Sequence, residues 1–267
     1  MNRNLASQPS AAEVDLLRAL AVDRPYAWIL AHPEAPLTPT QRRRLGQWLR
    51  QRRRGQPLAY ITGRKEFFRR PFEVTPSVLV PRPETEHLIE AALALPLHRT
   101  AAVADIGTGS GCIAVTLALE RPSWQVLAID RSAAALSVAK RNLKRYQLRQ
   151  RVRLLHGDLL APLRRRLIPD AIVANLPYAT PLEHRTVSRE PKLAIVGGRD
   201  GLSVFRRFWK QLSATGWRVP VVLEVDPRRL DAVATLAGQC YGSHDLRVTE
   251  DLAGRDRVLT VIPTSIR

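Results

Sequence analysis

From about residue 100 onward, short apolar runs alternate with longer stretches in which apolar residues recur every three or four positions. The runs are typical of buried β-strands, and the longer stretches are typical of amphipathic helices. Strands that alternate with helices predict a parallel, doubly wound α/β sheet. The predicted strands are residues 101–106, 126–129, 152–155, 171–174, 219–225 and 258–262. The clearest predicted helices between them are residues 113–119, 133–143 and 204–212.

The first part of the chain has a helical pattern. Helices are predicted at residues 11–21 and 26–31, and a third begins after Thr38 or Thr40, either of which could cap it. The apolar stripe of the third helix consists of Leu45, Trp48 and Leu49. Its other faces carry Arg42, Arg43, Arg44, Arg50, Arg53 and Arg54. We expect these arginines to face solvent, where they either form a solvated surface or attract an acidic partner.

A connector separates the helical part from the sheet. Residues 66–80 are rich in strand formers and are interrupted by Arg-Arg and Thr-Pro, which predicts a hairpin or an extended segment. A further helix is predicted from about Glu84 to Leu95. We therefore divide the chain into a helical domain at residues 1–63, a hairpin linker at 64–83 and an α/β domain at 84–267.

Charge and cysteine content limit the classes of protein to consider. The net charge is +18, so nucleic acid, a ribonucleoprotein or an acidic protein surface is a possible partner, unless the arginines carry no binding role. No apolar run is long enough for a membrane span, and the N-terminus does not have the pattern of a secretory signal. Only Cys112 and Cys240 are present, outside any metal-ligand spacing. We expect a cytoplasmic protein without a metal or a disulfide framework.

The first predicted strand runs into a glycine-rich loop. Glycines at such a turn allow a ligand to approach the backbone, and the next helix presents its N-terminal N–H groups. The third glycine comes one residue earlier than in the dinucleotide fingerprint, and Cys112 follows it. The spacing resembles the D-x-G-x-G-x-G loop of Rossmann-type methyltransferases, which implies S-adenosylmethionine as cofactor; a turn without a ligand is the alternative. The residues concerned are Asp105, Gly107, Thr108, Gly109, Ser110 and Gly111.

Two further acids follow the next predicted strands. Asp130 ends one strand, where a carboxylate can accept both ribose hydroxyls of a nucleoside. Asp158 follows the third strand and could accept the adenine amino group, although a carboxylate there can also be a helix cap. Together with Asp105, they place acids at the carboxyl ends of three successive strands. Ligands of doubly wound sheets bind in the crevice at that edge.

The fourth predicted strand ends in Asn175, Leu176, Pro177 and Tyr178. This turn resembles the Asn-Pro-Pro-Tyr signature of methyltransferases that act on planar nitrogens. Such a nitrogen is a poor nucleophile because its lone pair is delocalised. Asn175 could accept one N–H through its side-chain oxygen, and Leu176 the other through its backbone carbonyl, which directs the lone pair toward the methyl group. Tyr178 could stack on the flat group, and Pro177 favours an extended backbone at Leu176.

Leucine at position 176 leaves the identity of the substrate undecided, because ribosomal-RNA adenine dimethyltransferases resemble Asn-Leu-Pro-Tyr at this position. The turn therefore indicates a planar nitrogen without choosing between glutamine and adenine. The segments before the sheet favour glutamine over adenine as the substrate. Residues 55–63, 66–76 and 78–86, the last containing Pro-Arg-Pro-Glu-Thr-Glu, resemble the HemK/PrmC family. Glu190-Pro191, residues 197–202 and residues 251–257 match it as well.

The resemblance to this family implies a fold, an activity and a set of site residues. The fold is a Rossmann-like doubly wound, seven-stranded methyltransferase sheet, preceded by a small helical N-terminal domain and a β-hairpin linker. The activity is N5-methylation of the glutamine in the Gly-Gly-Gln motif of class-1 peptide chain release factors. The family places residues 107–111, Asp130 and Leu159 at the cofactor, which Asn175 also borders, and residues 175–178 at the glutamine. The domain at residues 1–63 would recognise the release factor.

Two other classes of function compete with this interpretation. A methyltransferase for an exocyclic amine of nucleic acid, such as rRNA adenine N6, is supported by the turn and the basic charge, and a ribosomal-protein glutamine is a related substrate. A non-enzymatic binding protein on a degenerate methyltransferase fold is the other class. Retention of Asp105, Asp130, Asp158 and Asn175 together argues against that class. The predicted catalytic residues are Asn175, Pro177 and Tyr178.

Overall fold

The structure, a computed structural model, describes residues 8–163, 168–187 and 189–264. The chain divides into two units, Met1–Arg64 and Lys65–Arg267. The first unit is helical, and the second contains the large sheet. None of the helices among the described residues is both long and apolar enough to cross a membrane.

Two of the helices described in the first unit begin with capping boxes, and the other two follow a proline without a side-chain cap. They are α1 (Ala11–Val22), α2 (Tyr26–Ala31), α3 (Pro39–Arg53) and α4 (Leu58–Thr62). Helix α1 starts with a capping box of Ser10 and Glu13, and α3 starts with one of Thr38 and Gln41. Thr38, not Thr40, is therefore the cap of α3. Its predicted apolar stripe is half-buried and the six arginines are exposed.

The second unit opens with a small hairpin and continues as the predicted alternation of strands and helices. The hairpin consists of β1 (Arg64–Phe67) and β2 (Arg70–Glu73). The remaining strands are β3 (Ala102–Ile106), β4 (Gln125–Asp130), β5 (Val152–His156), β6 (Ala171–Asn175), β7 (Val221–Glu224), β8 (His244–Glu250) and β9 (Asp256–Pro263). The helices are α5 (Thr85–Leu93), α6 (Cys112–Glu120), α7 (Ala133–Arg145), α8 (Pro181–Val187), α9 (Lys192–Ile195), α10 (Ser203–Ser213) and α11 (Leu230–Tyr241), with a 3₁₀ turn at Pro227–Arg229.

Seven strands form the large sheet in the order β5-β4-β3-β6-β7-β9-β8. Strands β3 to β7 are parallel, and β9 runs antiparallel between β7 and β8. The chain moves outward in one direction from β3 through β4 to β5, and in the other through β6 to β7. The strand order therefore reverses between β3 and β6, and ligands of doubly wound sheets bind at the carboxyl ends beside such a reversal.

Apolar side chains cover both faces of the sheet, as expected for buried parallel strands. On one face, Phe67 and Phe72 of the hairpin pack with Leu88 of α5 and the buried side of α6. On the other face, Phe205 and Phe208 of α10 pack with residues of β6, β7 and α11. These two cores fix the positions of the loops at the strand ends.

The six strands predicted from apolar runs all occur, with ends that shift by one or two residues. Strand β8 was not located from the sequence. It lies at the edge of the sheet, pairs only with β9, and most of its residues are exposed, so it does not contain a continuous apolar run. The resemblance to a seven-stranded family fold is confirmed.

Asn142 of α7 connects the hairpin to the loop that follows β3. Its Oδ1 accepts the N–H of Glu73 at 2.8 Å, and its Nδ2 donates to the carbonyls of Glu73 at 3.0 Å and Ser110 at 2.8 Å. The side chain is fully buried. Each of these backbone groups would lose its partner if the amide were removed.

We therefore expect Asn142→Ala to lower the free energy of unfolding by about 2–4 kcal/mol, because buried backbone groups would be left unpaired. Urea denaturation followed by circular dichroism measures this change. Lys140→Ala, at an exposed position of the same helix, is the matched control and should change stability by less than about 0.5 kcal/mol. Equal effects of the two substitutions would contradict the structural role of Asn142.

Candidate active site

A cavity of about 490 Å³ opens at the carboxyl ends of the parallel strands. Its volume lies within the range of small-molecule sites in proteins. Most of the residues predicted from the sequence line this cavity: Gly107, Thr108, Gly109, Ser110, Asp130, Asp158, Leu159, Asn175, Leu176 and Pro177. Asp105, Gly111 and Tyr178 lie outside its lining. One cavity therefore contacts both the loop after β3 and the turn after β6.

The glycine-rich loop, residues 107–111, is tied to the neighbouring strand. The N–H groups of Gly107 and Thr108 both donate to the carbonyl of Ile129, at 2.8 and 2.9 Å. Gly107 and Gly109 have φ angles of 78° and 55°, in the left-handed region that favours glycine. The loop thus curves around the end of β3, and its two glycines in the cavity lining let a ligand approach the backbone.

Asp130 lies where β4 ends and holds the glycine-rich loop from the cavity side. Its Oδ2 accepts the N–H of Gly109 at 2.9 Å, and its Oδ1 accepts the N–H of Ser132 at 2.8 Å. Each carboxylate oxygen has a second acceptor site, so both can still accept a hydroxyl of a ligand. Burial raises the pKa of Asp130, against the effect of these two donors.

Asp105 and Gly111 support the glycine-rich loop from behind. The Asp105 carboxyl accepts the hydroxyl of Thr108 at 2.6 Å and the N–H of Ala114 at 3.1 Å, and burial raises its pKa to about 7. Gly111 has a φ of 81°, and a Cβ there would lie 3.1 Å from that of Ala139. The structure therefore gives Asp105 a role in loop geometry and Gly111 a role in the close packing of α6 against α7.

Asp158 and Leu159 line the cavity just after β5, the strand that pairs with β4. The Asp158 carboxylate is paired with Arg207 and accepts the Nε2–H of Gln211 at 3.2 Å. Burial raises the pKa of Asp158, but the hydrogen bonds and charge of Arg207 outweigh it, so the pKa lies below its ordinary value. Leu159 is buried with a φ of 51°, which turns the chain sharply after Asp158.

The reactive turn, residues 175–178, begins at the end of β6. The Nδ2 of Asn175 donates to Thr85 Oγ1 at 3.1 Å and to Glu224 Oε2 at 2.8 Å. No residue in the described part of the chain donates to its Oδ1. The side-chain oxygen of Asn175 therefore remains an open acceptor at a residue that lines the cavity.

Two glycines pack against the back of the reactive turn. A Cβ at Gly197 would lie 2.4 Å from the carbonyl oxygen of Pro177, and one at Gly201 would lie 2.1 Å from that of Tyr178. Side chains at these positions would displace the turn. The Gly-Gly-Arg-Asp-Gly segment noted in the sequence thus determines the path of the backbone at residues 177 and 178.

Leu176 and Tyr178 contact the apolar core beside the reactive turn. Leu176 is buried, so this position contributes a packed side chain in addition to its backbone carbonyl. Tyr178 is half-buried, and its hydroxyl lies 3.4 Å from Glu224 Oε1. Burial and the neighbouring Glu224 charge raise the pKa of Tyr178. Its hydroxyl is thus directed to Glu224, and the predicted stacking of Tyr178 on a substrate stays a prediction.

Sequence reasoning missed two residues of the site, Thr85 and Glu224. Both are buried, and both contact Asn175. Glu224 is the single acid within an otherwise apolar predicted strand, which is a detectable signal because an unpaired charge is rarely buried. Thr85 belongs to the Pro-Arg-Pro-Glu-Thr-Glu segment, and Arg82 of the same segment pairs with buried Glu190. Pattern alone could not show that Thr85 contacts β7.

The arrangement suits transfer chemistry at a planar, uncharged group. One end of the cavity offers curved backbone and a carboxylate, and the other offers an amide oxygen at the end of β6. No group of three or more His, Cys, Asp or Glu that could hold a metal ion occurs among the described residues.

Solved structures with the same fold include methyltransferases. The catalytic domain of hMettl16 aligns with a TM-score of 0.58 at 16% identity, covering 85% of this chain and 83% of that one. A human methyltransferase 10 domain containing protein aligns with a TM-score of 0.54 at 16% identity, covering 73% and 88%. At these identities the similarity establishes the fold alone.

Family models and curated relatives extend the similarity to nearly the whole chain. Residues 85–190 match the methyltransferase small domain, and residues 3–63 match the PrmC N-terminal domain. The release factor glutamine methyltransferase of Moorella thermoacetica is 42% identical over 254 residues, covering 92% of this chain and 88% of that protein. That of Koribacter versatilis is 38% identical over 259 residues, covering 93% and 89%. With these matches across both units, the chain belongs to the family of release factor glutamine methyltransferases.

Proposed function

We propose that this protein transfers the methyl group of S-adenosylmethionine to the side-chain amide nitrogen, N5, of the glutamine in the Gly-Gly-Gln motif of class-1 peptide chain release factors. The observation that carries the proposal is the single cavity that the glycine-rich loop, Asp130 and Asn175 all line. A methyl donor held at one end of this cavity would face a nitrogen held at the other. Because release factors act in translation, the reaction would occur in the cytoplasm.

The cofactor end of the cavity fits a nucleoside with an extended chain. Glycine at positions 107 and 109 lets a ligand approach the loop backbone, and Asp130 retains two acceptor sites for ribose hydroxyls. Leu159 offers an apolar contact, and Asp158 beside it could accept an amino group although it already pairs with Arg207. When bound, S-adenosylmethionine supplies an electrophilic methyl group on a positively charged sulfur.

The substrate end fits a primary amide. Asn175 Oδ1 would accept one N–H of the glutamine, and the backbone carbonyl of Leu176 would accept the other. Two such acceptors fix the plane of the amide and direct the nitrogen lone pair toward the methyl group. As the new N–C bond forms, the bond from the methyl carbon to sulfur would break and leave a neutral thioether, so the nitrogen would become positively charged and strongly acidic. One of its protons can then pass to water, so no side-chain base is required.

The relatives favour a protein substrate over nucleic acid. Those named release factor glutamine methyltransferase match the helical first unit as well as the sheet. We assign recognition of the release factor to residues 1–63, where the six exposed arginines of α3 and its C-cap could steer an acidic protein or ribonucleoprotein surface. Methylation of an adenine amine or of a ribosomal-protein glutamine is the alternative, and the turn Asn-Leu-Pro-Tyr does not exclude it.

A labelling experiment tests the proposed function. The purified protein is incubated with methyl-labelled S-adenosylmethionine and, in separate reactions, with a class-1 release factor, the same factor with alanine in place of the Gly-Gly-Gln glutamine, and ribosomal RNA. We expect label only in the unmodified release factor, located on that glutamine by mass spectrometry. Label in the RNA, or equal label in both release factors, would contradict the proposal.

Asp130→Ala should weaken binding of S-adenosylmethionine roughly 10- to 100-fold, because it removes charge-assisted hydrogen bonds worth about 1.5–3 kcal/mol. Isothermal titration calorimetry measures the dissociation constant. Asp170→Ala is the matched control: its carboxylate also accepts a backbone N–H, that of Ala102 at 2.7 Å, but at the opposite end of the sheet. An unchanged affinity in Asp130→Ala would remove Asp130 from the cofactor site.

Asn175→Ala should lower kcat for release factor methylation roughly a hundredfold or more, because the nucleophile loses the acceptor that orients it. Single-turnover methylation with saturating cofactor isolates this step. Cofactor affinity of the variant, measured by calorimetry, serves as the control and should stay within about threefold. If Asn175→Ala reacts at the normal rate, the side-chain oxygen does not hold the substrate nitrogen.

A further inference from the structure

Three side chains from two separate segments of the second unit converge on the buried carboxylate of Glu224. Thr85 Oγ1 donates to its Oε2 at 2.5 Å, Asn175 Nδ2 donates to the same oxygen at 2.8 Å, and the Tyr178 hydroxyl lies 3.4 Å from its Oε1. Glu224 is 1% exposed and Thr85 is 3% exposed. Asn175 and Glu224 are direct neighbours across the paired strands β6 and β7.

We propose that Glu224 is a positioning residue for methyl transfer, which holds the Asn175 side chain with its Nδ2 turned inward and its Oδ1 presented to the substrate nitrogen. The inference rests on the proposed function, because it assigns a purpose to the open acceptor of Asn175. Glu224 itself does not line the cavity and would act only through Asn175.

The need for such a residue follows from the shape of asparagine. The oxygen and the NH₂ group of its amide have nearly the same size, so packing alone does not decide which one faces a ligand. Because Glu224 and Thr85 both accept from Nδ2, a reversed amide would lose two hydrogen bonds and place its oxygen against a carboxylate. The reversed amide would also present N–H groups to the N–H groups of the substrate.

The hydroxyl of Thr85 is a second acceptor for the Nδ2 of Asn175. A hydroxyl has one hydrogen, and that of Thr85 is directed to Glu224 at 2.5 Å. Its lone pairs are then available to Asn175, whose Nδ2 lies 3.1 Å away. Both inner neighbours of Nδ2 are therefore acceptors. Valine would have nearly the same shape as Thr85 but could take neither role.

An ionised carboxylate can only accept hydrogen bonds. This form of Glu224 suits its surroundings, because Thr85, Asn175 and Tyr178 all donate toward it. Burial raises the pKa of Glu224 above its ordinary value, and the Thr85 hydrogen bond and the charge of Arg257 offset only part of this rise. A hydrogen bond from an amide N–H to a carboxylate is stronger than one to a neutral acceptor. It also draws negative charge toward Asn175 Oδ1, which would stabilise the positive charge that develops on the substrate nitrogen.

The first test compares Glu224→Leu, Glu224→Gln, Thr85→Val and Thr85→Ser. We expect Glu224→Leu to lower kcat for release factor methylation roughly a hundredfold and Thr85→Val roughly tenfold, with KM and cofactor affinity within about threefold. Glu224→Gln keeps an acceptor oxygen and should recover most of the loss, and Thr85→Ser should do the same for Thr85→Val. A purely structural defect would instead affect stability, KM and kcat together.

The second test asks whether Glu224 acts through Asn175. In an Asn175→Ala background, Glu224→Leu should lower kcat by no more than about threefold further, because the group that it positions is already absent. Additive losses in the double variant, or a normal kcat in both Glu224→Leu and Thr85→Val, would overturn the inference. The Thr85 variants keep the test decisive if Glu224→Leu does not fold.

A structural readout separates this inference from the proposed function. If the wild-type protein methylates no release factor, the proposed function fails. Crystal structures of the wild-type protein and of Glu224→Leu or Thr85→Val, at a resolution that distinguishes amide nitrogen from oxygen, still test the positioning. We expect the Asn175 amide to be reversed or divided between two orientations in the variants. An unchanged, single orientation in both variants would overturn the role of Glu224.

Discussion

The parallel pairing of β3 with both β4 and β6 is the constraint on which the site depends. Side chains at the carboxyl ends of parallel strands meet at one edge of a sheet, and the reversal of strand order beside β3 leaves a crevice there. Asp130 at the end of β4 and Asn175 at the end of β6 therefore line one cavity, although 44 residues lie between them in the sequence. The other features of the site position and orient the groups that this pairing brings together.

Buried carboxylates hold several of these groups in position. Asp105 joins the glycine-rich loop to the first turn of α6, Glu190 accepts the N–H of Val80 and pairs with Arg82, and Glu224 joins Thr85 to Asn175. A buried carboxylate is costly unless it is paired or hydrogen-bonded. Each of these acids is therefore held by donors from separate segments, and in turn holds those segments in place.

Close packing of a neighbouring loop against its backbone also holds the reactive turn in place. Gly197 and Gly201 allow one loop to approach the carbonyl groups of Pro177 and Tyr178 more closely than any side chain would permit. Methyl transfer depends on a lone pair pointing along one line, and positional errors of about 1 Å at such a site can reduce rates a hundredfold. In the proposed reaction, a turn fixed by hydrogen bonds at Asn175 and by packing at residues 177 and 178 would meet that requirement.

The sequence by itself determined the type of fold, the glycine-rich loop and the reactive turn. Apolar runs reveal buried strands, and loops that need glycine or end a strand with an acid have local chemical signatures. It did not reveal β8, whose exposed edge position removes the apolar run. Nor did it show that, of the two acids that contact the glycine-rich loop or its neighbours, Asp130 lines the cavity and Asp105 lies behind the loop. The contacts of Thr85 and Glu224 with Asn175 join residues 90 and 49 positions apart. Only the tertiary structure decided them, because local pattern carries no information about which buried polar groups become neighbours once the strands have paired.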